Sequence, residues 1–188
     1  VQVGDQIDSC RPSVVDGIVC SDPSATVNDK PYDWKVMELF TRLNKIASQS
    51  KNKGMVISLL GNHEILNSLG DIRYVSYANL QEFQTNKFLN PKRYQSGKKA
   101  RIEAFKPKNH LARYLANNRV SAVVIGSSLF VHAGILPETA SKYTLTDLNN
   151  TLRNWLLGKL ASKKERAKVA PLLVSNTKSP FWPRHYGV

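Results

Sequence analysis

The spacing of apolar residues predicts helices and strands in alternation. From residue 33 to about residue 51, apolar positions recur every three or four residues, as on a helix with one buried face. Asp33 is a candidate cap for this helix, and Gly54 suits its end. The predicted face consists of Val36, Met37, Phe40, Leu43, Ile46 and Ala47. The next run, residues 55–60, is Met-Val-Ile-Ser-Leu-Leu, which predicts a central strand buried on both faces.

The second half of the chain continues the alternation. Residues 79–89 and 107–117 are predicted helices, the latter with Leu111, Tyr114 and Leu115 inward. Two apolar runs, residues 120–125 and 129–133, flank Gly-Ser-Ser, which predicts a β-hairpin. A predicted helix over residues 146–161 carries a core-facing stripe of Leu148, Leu152, Leu156 and Leu160.

Two stretches lack a clear period. Residues 9–31 are rich in Ser, Asp, Pro and Asn and predict a long loop, and the lysine-rich part of residues 87–108 is predicted to be irregular. The alternation of strands and helices elsewhere indicates the α/β class. With 188 residues, 41% of them hydrophobic, the chain is predicted to form one domain over residues 1–188.

The composition of the chain indicates the cellular compartment in which we expect the protein. No apolar run approaches the roughly 18 residues that cross a bilayer, and the first residues lack the layout of a signal peptide. We therefore expect a soluble, cytoplasmic protein without a membrane partner. The two cysteines, Cys10 and Cys20, do not form a disulfide framework, which favours a reduced compartment and an inert Cys10 thiol, although a single bridge remains open.

The formal net charge of +13 comes from 27 Lys and Arg against 14 Asp and Glu. The excess is concentrated in residues 87–108 and 159–168. Two interpretations are open, namely solvated surface segments and the capture of an acidic or phosphorylated partner. Binding of nucleic acid is possible on charge alone but is not favoured.

Three polar residues follow or end apolar strands at distant points of the chain. They are Asp5, Asn62 and His132, which supply a carboxylate, an amide oxygen and an imidazole. In α/β folds, ligands gather beyond the carboxyl ends of strands, and divalent metals accept this mixture of ligands. Each residue alone also fits a turn, a helix cap or a packed histidine. Their combination indicates a metal site.

These residues stand in motifs that resemble the calcineurin-like metallophosphoesterase superfamily, and within it the phosphoprotein phosphatase branch. The motifs are residues 4–8 (Gly-Asp-Gln-Ile-Asp), 61–64 (Gly-Asn-His-Glu) and 130–135 (Phe-Val-His-Ala-Gly-Ile). Residues 101–137 and 179–184 further resemble Shewanella-like phosphatases. The resemblance implies two mixed β-sheets packed together and flanked by helices.

The resemblance also implies a site with two divalent metal ions. Asp5 would bridge the ions, and Asn62 and His132 would bind the second one. Attack by a metal-bridging hydroxide would hydrolyse phosphomonoesters, with His63 as general acid and Asp8 as its partner. The ligand types suit manganese, iron and zinc alike. The implied substrate is a phosphorylated protein or a small phosphoester, and the preference among Ser, Thr and Tyr stays open.

Phosphate oxygens suit the planar fork of arginine, and Arg11 and Arg184 are the candidates, together with Asn62. The family has an arginine directly after its second aspartate, whereas this chain has Ser9 there and Arg11 two residues later. For Arg11 an ordinary surface position remains open. For Arg184 stacking on Trp182 remains open.

Two elements of the family pattern are absent from this sequence: an Asp-x-His motif before residues 4–8, and a late metal-binding histidine. The resemblance therefore implies a fragment, incomplete at both ends, with weak or no catalysis by itself. Two other functions stay open. One is hydrolysis of nucleotides or dinucleoside polyphosphates by the same superfamily, and the other is an inactive, basic module that binds nucleic acid.

Overall fold

The computed structural model describes residues 1–186. In this range the chain forms eight α-helices and one β-hairpin. The helices are α1 (Asp33–Gln49), α2 (Asn62–Leu69), α3 (Tyr77–Thr85), α4 (Gly97–Phe105), α5 (His110–Asn118), α6 (Pro137–Ala140), α7 (Leu145–Leu156) and α8 (Lys163–Val174). The hairpin consists of β1 (Ala122–Ile125) and β2 (Ser128–Val131).

Extended segments lie side by side at the centre of the structure. Parallel bridges join Gln2 to Ser58 and Leu59 to Val120, and β1 pairs antiparallel with β2 from Ala122 opposite Val131 onwards. The segment around residue 58 therefore has a neighbour on each side, as predicted for a central strand. The predicted burial on both faces holds for residues 58–60, whereas Met55 is 71% exposed. Because the segments at Gln2 and Ser58 run parallel, the loops that follow them emerge at the same edge.

The predicted leucine faces form much of the core. Leu111 and Leu115 of α5 are fully buried, and so are Leu152 and Leu156 of α7. Leu160, the last member of the predicted stripe, lies beyond the end of α7 and is half-buried. The apolar period thus identified these two helices correctly, while α7 ends earlier than predicted.

Four helices occur where the sequence did not predict them, namely α2, α4, α6 and α8. Helix α2 begins within the Gly-Asn-His-Glu motif, and α4 and α8 cover parts of the two basic segments. The buried face of α4 contains Gly97, Ala100, Arg101, Ala104 and Phe105. The spacing is helical, but small residues and an arginine occupy most of the face, so its apolar signal is weak.

Helix α1 begins at Asp33, one residue before the start that a cap at Asp33 predicts, and its predicted apolar face is only partly buried. Met37 is 1% exposed, whereas Leu43 is 40% and Ile46 is 62% exposed. Asp33 is not the cap. Tyr32 occupies that position, and the buried Asp33 carboxylate instead accepts the Asp8 N–H at 3.2 Å.

Cys10 and Cys20 form a disulfide with a Cα–Cα distance of 5.7 Å, so the free thiol expected for Cys10 is wrong. The bridge closes the loop that follows the Gly-Asp-Gln-Ile-Asp motif. Both cysteines are buried. The sequence left this pairing open because two cysteines ten positions apart carry no geometric information about their distance.

The α/β class agrees with the mixture of helices and extended segments. The predicted sandwich of two mixed sheets stays a prediction, since residues 1–186 contain one two-stranded sheet and three isolated bridges. Of the helices in this range, none combines the length and the apolar character needed to cross a membrane.

A buried arginine connects α1 to the end of α5. Arg119 is 5% exposed, and its guanidinium donates to the carbonyl of Met37 at 2.8 Å, to Thr41 Oγ1 at 3.0 Å and to Gln6 Oε1 at 2.7 Å. Since Gln6 lies in the first motif, this side chain ties the motif loop to the helical layer.

Replacing Arg119 by methionine keeps the apolar stem but leaves Gln6 Oε1 without its donor in the interior. The Met37 carbonyl and Thr41 Oγ1 each lose one donor and keep the hydroxyl of Tyr114. We expect Arg119→Met to lower the free energy of unfolding by about 2–4 kcal/mol, measured by urea denaturation. The exposed Arg42 of α1 supplies the control, because Arg42→Met should change it by less than about 0.5 kcal/mol. Equal urea-denaturation midpoints for Arg119→Met and Arg42→Met would contradict the role of Arg119 in joining the motif loop to the helices.

Candidate active site

A buried carboxylate joins the two motif loops. Glu64, in the first turn of α2, is fully buried. Its carboxylate accepts three backbone N–H groups, from Asp5 at 3.0 Å, Gln6 at 2.7 Å and Gly61 at 2.7 Å. Burial raises the pKa of Glu64, as does the charge of Asp5, while the three donors act in the opposite direction. These bonds fix the backbone of both motif loops and thereby determine where the side chains of Asp5 and Asn62 lie.

Two glycines allow the loops to touch. Gly4 has φ +96°, a left-handed conformation, and a Cβ there would lie 2.5 Å from the Gly61 nitrogen. At Gly61 a Cβ would collide with the carboxylate of Asp5. Asp5 itself adopts φ 56°, which only the surrounding contacts hold in place. The contact therefore requires glycine on both sides.

The structure brings Asp5, Asn62 and His132 together. His132 Nε2 lies 3.5 Å from Asp5 Oδ2 and 2.8 Å from Asn62 Oδ1. In this orientation the Asn62 oxygen faces only acceptors. Without a cation, the reversed amide, which donates to Asp5 and His132, makes the better hydrogen bonds. Three electron-pair donors thus converge on one small volume.

The tautomer of His132 suits a metal ligand. Its Nδ1 lies 2.7 Å from the carbonyl oxygen of Val3 and therefore carries the proton, which leaves the Nε2 lone pair toward Asp5 and Asn62. Metal-binding histidines are commonly oriented by such a second bond. Residues 1–186 contain no group of three or more His, Cys, Asp or Glu that could hold a metal ion. The candidate donor set is therefore one carboxylate, one imidazole and one amide.

His63 and Asp8, predicted as the acid pair, are hydrogen-bonded. His63 Nδ1 lies 2.9 Å from Asp8 Oδ2, and both side chains are buried. His63 also approaches Asp5, with 4.0 Å between Nε2 and Oδ2. Burial lowers the pKa of His63, but the bond to Asp8 and the charges of Asp5 and Asp8 outweigh it, so the pKa is raised. A protonated ring beside the site is the form that a general acid needs.

Sequence reasoning missed three further partners of this pair. Asn67 donates to Asp8 Oδ2 at 2.8 Å, and Arg101 donates to Asp8 Oδ1 at 2.8 Å. Asp33 lies 2.8 Å from the same guanidinium nitrogen of Arg101. A helix prediction for residues 62–69 would have placed Asn67 one turn after His63. No sequence signal distinguished Arg101 from the neighbouring lysines.

Both candidate arginines line the same cavity. This cavity of about 450 Å³ is lined by Asp5, Arg11, Asn62, His63, His132, Ala133, Pro183, Arg184 and Tyr186. Arg11 donates to the carbonyls of Asp8 at 2.8 Å and Cys10 at 2.9 Å. Arg184 contacts Trp182 through the main-chain carbonyl, at 3.1 Å.

Apart from Arg101, the basic residues 87–108 lie away from the candidate site. Lys92 and Lys108 line a separate cavity of about 300 Å³ beside α4 and α5. His185 lines a cavity next to Trp182 rather than the one that contains Asp5. None of residues 87–108 lines the cavity that contains Asp5, and Arg101 is the member of this segment that contacts Asp8.

No protein-family model matches the chain. It is 41% identical over 149 residues to an uncharacterized protein of Acanthamoeba polyphaga mimivirus, covering 74% of this chain and 58% of that protein. It is 31% identical over 185 residues to Shewanella-like protein phosphatase 2 of Arabidopsis thaliana, covering 82% of this chain and 45% of that protein. The chain spans about half the length of the curated relatives it matches.

Solved structures of cold-active protein tyrosine phosphatases are similar as well. One has a TM-score of 0.54 at 26% identity, covering 81% of this chain and 42% of that one. The enzyme of a psychrophilic Shewanella species has a TM-score of 0.53 at 24% identity, over 83% of this chain and 43% of that one, and indicates a shared fold. Together the similarities in sequence and structure support a relationship to a phosphatase family.

The role of Glu64 can be tested by removing one acceptor. Glu64→Gln would turn a side-chain NH₂ toward backbone donors, so we expect a loss of about 2–3 kcal/mol in the free energy of unfolding. Hydrogen exchange should accelerate at the Asp5 and Gly61 amides. The exposed Glu38 is the matched control, and Glu38→Gln should leave both quantities unchanged. Unaltered hydrogen-exchange protection of the Asp5 and Gly61 amides in Glu64→Gln would show that Glu64 does not hold the two loops together.

Proposed function

We propose that the chain carries the acid–base pair and part of the metal site of a phosphoesterase that acts on phosphomonoesters, most simply a protein phosphatase. The observation that carries this proposal is the convergence of Asp5, Asn62 and His132 beside the His63–Asp8 pair and two arginines. The chain's similarity to a Shewanella-like protein phosphatase points to the same chemistry.

The donor set fits divalent manganese, iron or zinc, which accept oxygen and nitrogen ligands together. Asp5, Asn62 and His132 would hold such an ion, and Asp5 would be shared with a second one. Two bound ions supply Lewis-acid activation of water and neutralise phosphate charge. The fixed Nδ1–H of His132 supports this assignment, because it presents the other ring nitrogen as an acceptor.

The remaining steps belong to side chains of this chain. His63 would donate its proton to the leaving oxygen, and Asp8 would hold the ring in the donating orientation. Arg11 and Arg184 would bind phosphate oxygens from opposite ends of the sequence, with the Asn62 amide beside them. Both guanidiniums line the cavity that holds Asp5. Their positive charge favours a dianionic phosphate close to His63.

We also propose the calcineurin-like sandwich as the fold. Val124 and Leu129 are directly paired across the hairpin and are 52% and 48% exposed. An apolar pair on one sheet face is typical of a sheet that packs against a second layer. This exposed apolar pair supports the proposal.

Metal binding can be measured without catalysis. We expect titration calorimetry to detect binding of Mn²⁺ to residues 1–188, and Asp5→Asn to weaken it by about 10-fold or more, because the anionic ligand is lost. The exposed loop residue Asp16 provides the control, since Asp16→Asn should bind normally. Absence of Mn²⁺ binding in the parent chain would refute the metal site.

Activity should be assayed with the product of the complete reading frame that encodes these residues. We expect hydrolysis of a phosphopeptide in preference to a dinucleoside tetraphosphate, and a fall in kcat of about 10²–10⁴-fold in His63→Asn. His110→Asn, which changes a histidine packed on Phe88, should retain activity.

Two outcomes would favour the other candidate functions. Faster turnover of the tetraphosphate would indicate the polyphosphate hydrolase. A lack of hydrolysis, combined with duplex DNA binding that weakens steeply with salt and persists in His63→Asn, would indicate the nucleic-acid module.

A further inference from the structure

We propose that Arg101 is a positioning residue, which holds Asp8 in the orientation that presents His63 to the leaving group. This inference rests on the proposed function. Arg101 touches neither the cavity nor any candidate metal ligand, and it lies 93 positions from Asp8 in sequence. Its action on the reaction would therefore pass through Asp8 and through Asn67, which contacts both Asp8 and His63.

The contacts of Arg101 match this role. Its side chain is fully buried, and its Nη2 lies 2.8 Å from both Asp8 Oδ1 and Asp33 Oδ2. Its Nε donates to Asn67 Oδ1 at 2.7 Å. Asn67 in turn donates to the other Asp8 oxygen, so Arg101 constrains that carboxylate both directly and through the amide.

The carboxylate of Asp8 is consequently held at both oxygens. Oδ1 contacts Arg101, and Oδ2 accepts from Asn67 at 2.8 Å while it contacts His63 Nδ1 at 2.9 Å. A carboxylate with only the His63 contact would be free to rotate. With both oxygens engaged, Oδ2 has one orientation, and that orientation determines the direction of the imidazole ring.

Packing fixes the guanidinium itself. Its carbon lies 5.0 Å from the centre of the Phe83 ring and 5.3 Å from that of Phe105. Gly97, one turn before Arg101 on the same face of α4, leaves no room for a Cβ against the Leu80 carbonyl. Helix α4 therefore sits close to α3 and inserts Arg101 at a fixed depth.

Arginine differs from lysine in a way that matters here. A planar guanidinium can donate to Asn67 through Nε and to Asp8 through Nη2 while it pairs with the charge of Asp33, whereas an ammonium group on a flexible stem offers no such fixed fork. Arg101→Lys preserves the buried positive charge and should permit folding. It should nevertheless lose the fixed orientation of Asp8.

Leaving-group dependence separates positioning from general structural support. Proton donation by His63 matters for a basic leaving group such as phenoxide and little for dinitrophenoxide, which departs without a proton. We expect Arg101→Lys to lower kcat for phenyl phosphate by about 10- to 100-fold, the range for outer-shell partners, with KM nearly unchanged. For dinitrophenyl phosphate the loss should stay below about 3-fold.

Controls calibrate this readout. Arg119→Lys alters another buried arginine without contact to Asp8 or His63, and any loss there should be equal for the two esters. His63→Asn should reproduce the leaving-group selectivity, and adding Arg101→Lys to it should bring no further selectivity. Equal losses for both esters in Arg101→Lys would overturn the inference.

A second measurement keeps the inference independent of catalysis. If the parent protein hydrolyses neither ester, the proposed function fails, and Arg101 is then tested by NMR of the His63 Nδ1–H proton, identified by its loss in His63→Asn. We expect Arg101→Lys to shift or broaden this signal while the backbone amide spectrum stays native. An unchanged signal would exclude Arg101 as a positioning residue.

Discussion

The candidate site depends on one buried carboxylate that accepts backbone N–H groups from two distant loops. The three bonds of Glu64 connect the turn after Gln2 to the turn after Leu60. They occur where two parallel segments end at the same edge. Because they engage main-chain groups, they fix the path of the chain independently of which side chains it carries. Asp5 and Asn62 meet only because this path is fixed.

The helix that starts at Asn62 extends the same constraint. His63 lies in its first turn and donates its backbone N–H to Asp5 Oδ1 at 3.0 Å. A carboxylate at the N-terminus of a helix is favoured by the unpaired N–H groups there. Glu64 meanwhile faces the loop before the helix. One turn of helix therefore supplies the amide, the imidazole and the joining carboxylate, each in a different direction.

The sequence predicted the parts of the site whose signals are local. Asp5, Asn62 and His132 follow apolar segments, and Asp8 and His63 stand within recognisable motifs, so their approach was foreseeable. Arg101 was not. It is a single arginine within a lysine-rich stretch, and its burial depends on Phe105, one turn later in α4, and on Phe83 of α3, which only the tertiary structure brings to it. The Leu-rich faces of α5 and α7 were predicted for the same local reason, and α4 was missed because its face uses small residues.

The displaced arginine of the first motif illustrates how the fold accommodates a change in sequence. Ser9 occupies the position expected for arginine, and the chain continues through Cys10, which is bridged to Cys20. Asp8 has φ 70°, a left-handed turn that reverses the chain, and the Arg11 guanidinium then donates back to the carbonyls of Asp8 and Cys10. The left-handed turn at Asp8 and the disulfide thus compensate for the two additional residues before Arg11. The guanidinium of Arg11 therefore reaches the cavity although Arg11 comes two residues later than the family's arginine. Because the disulfide closes the loop, the position of Arg11 depends on both Asp8 and Cys10.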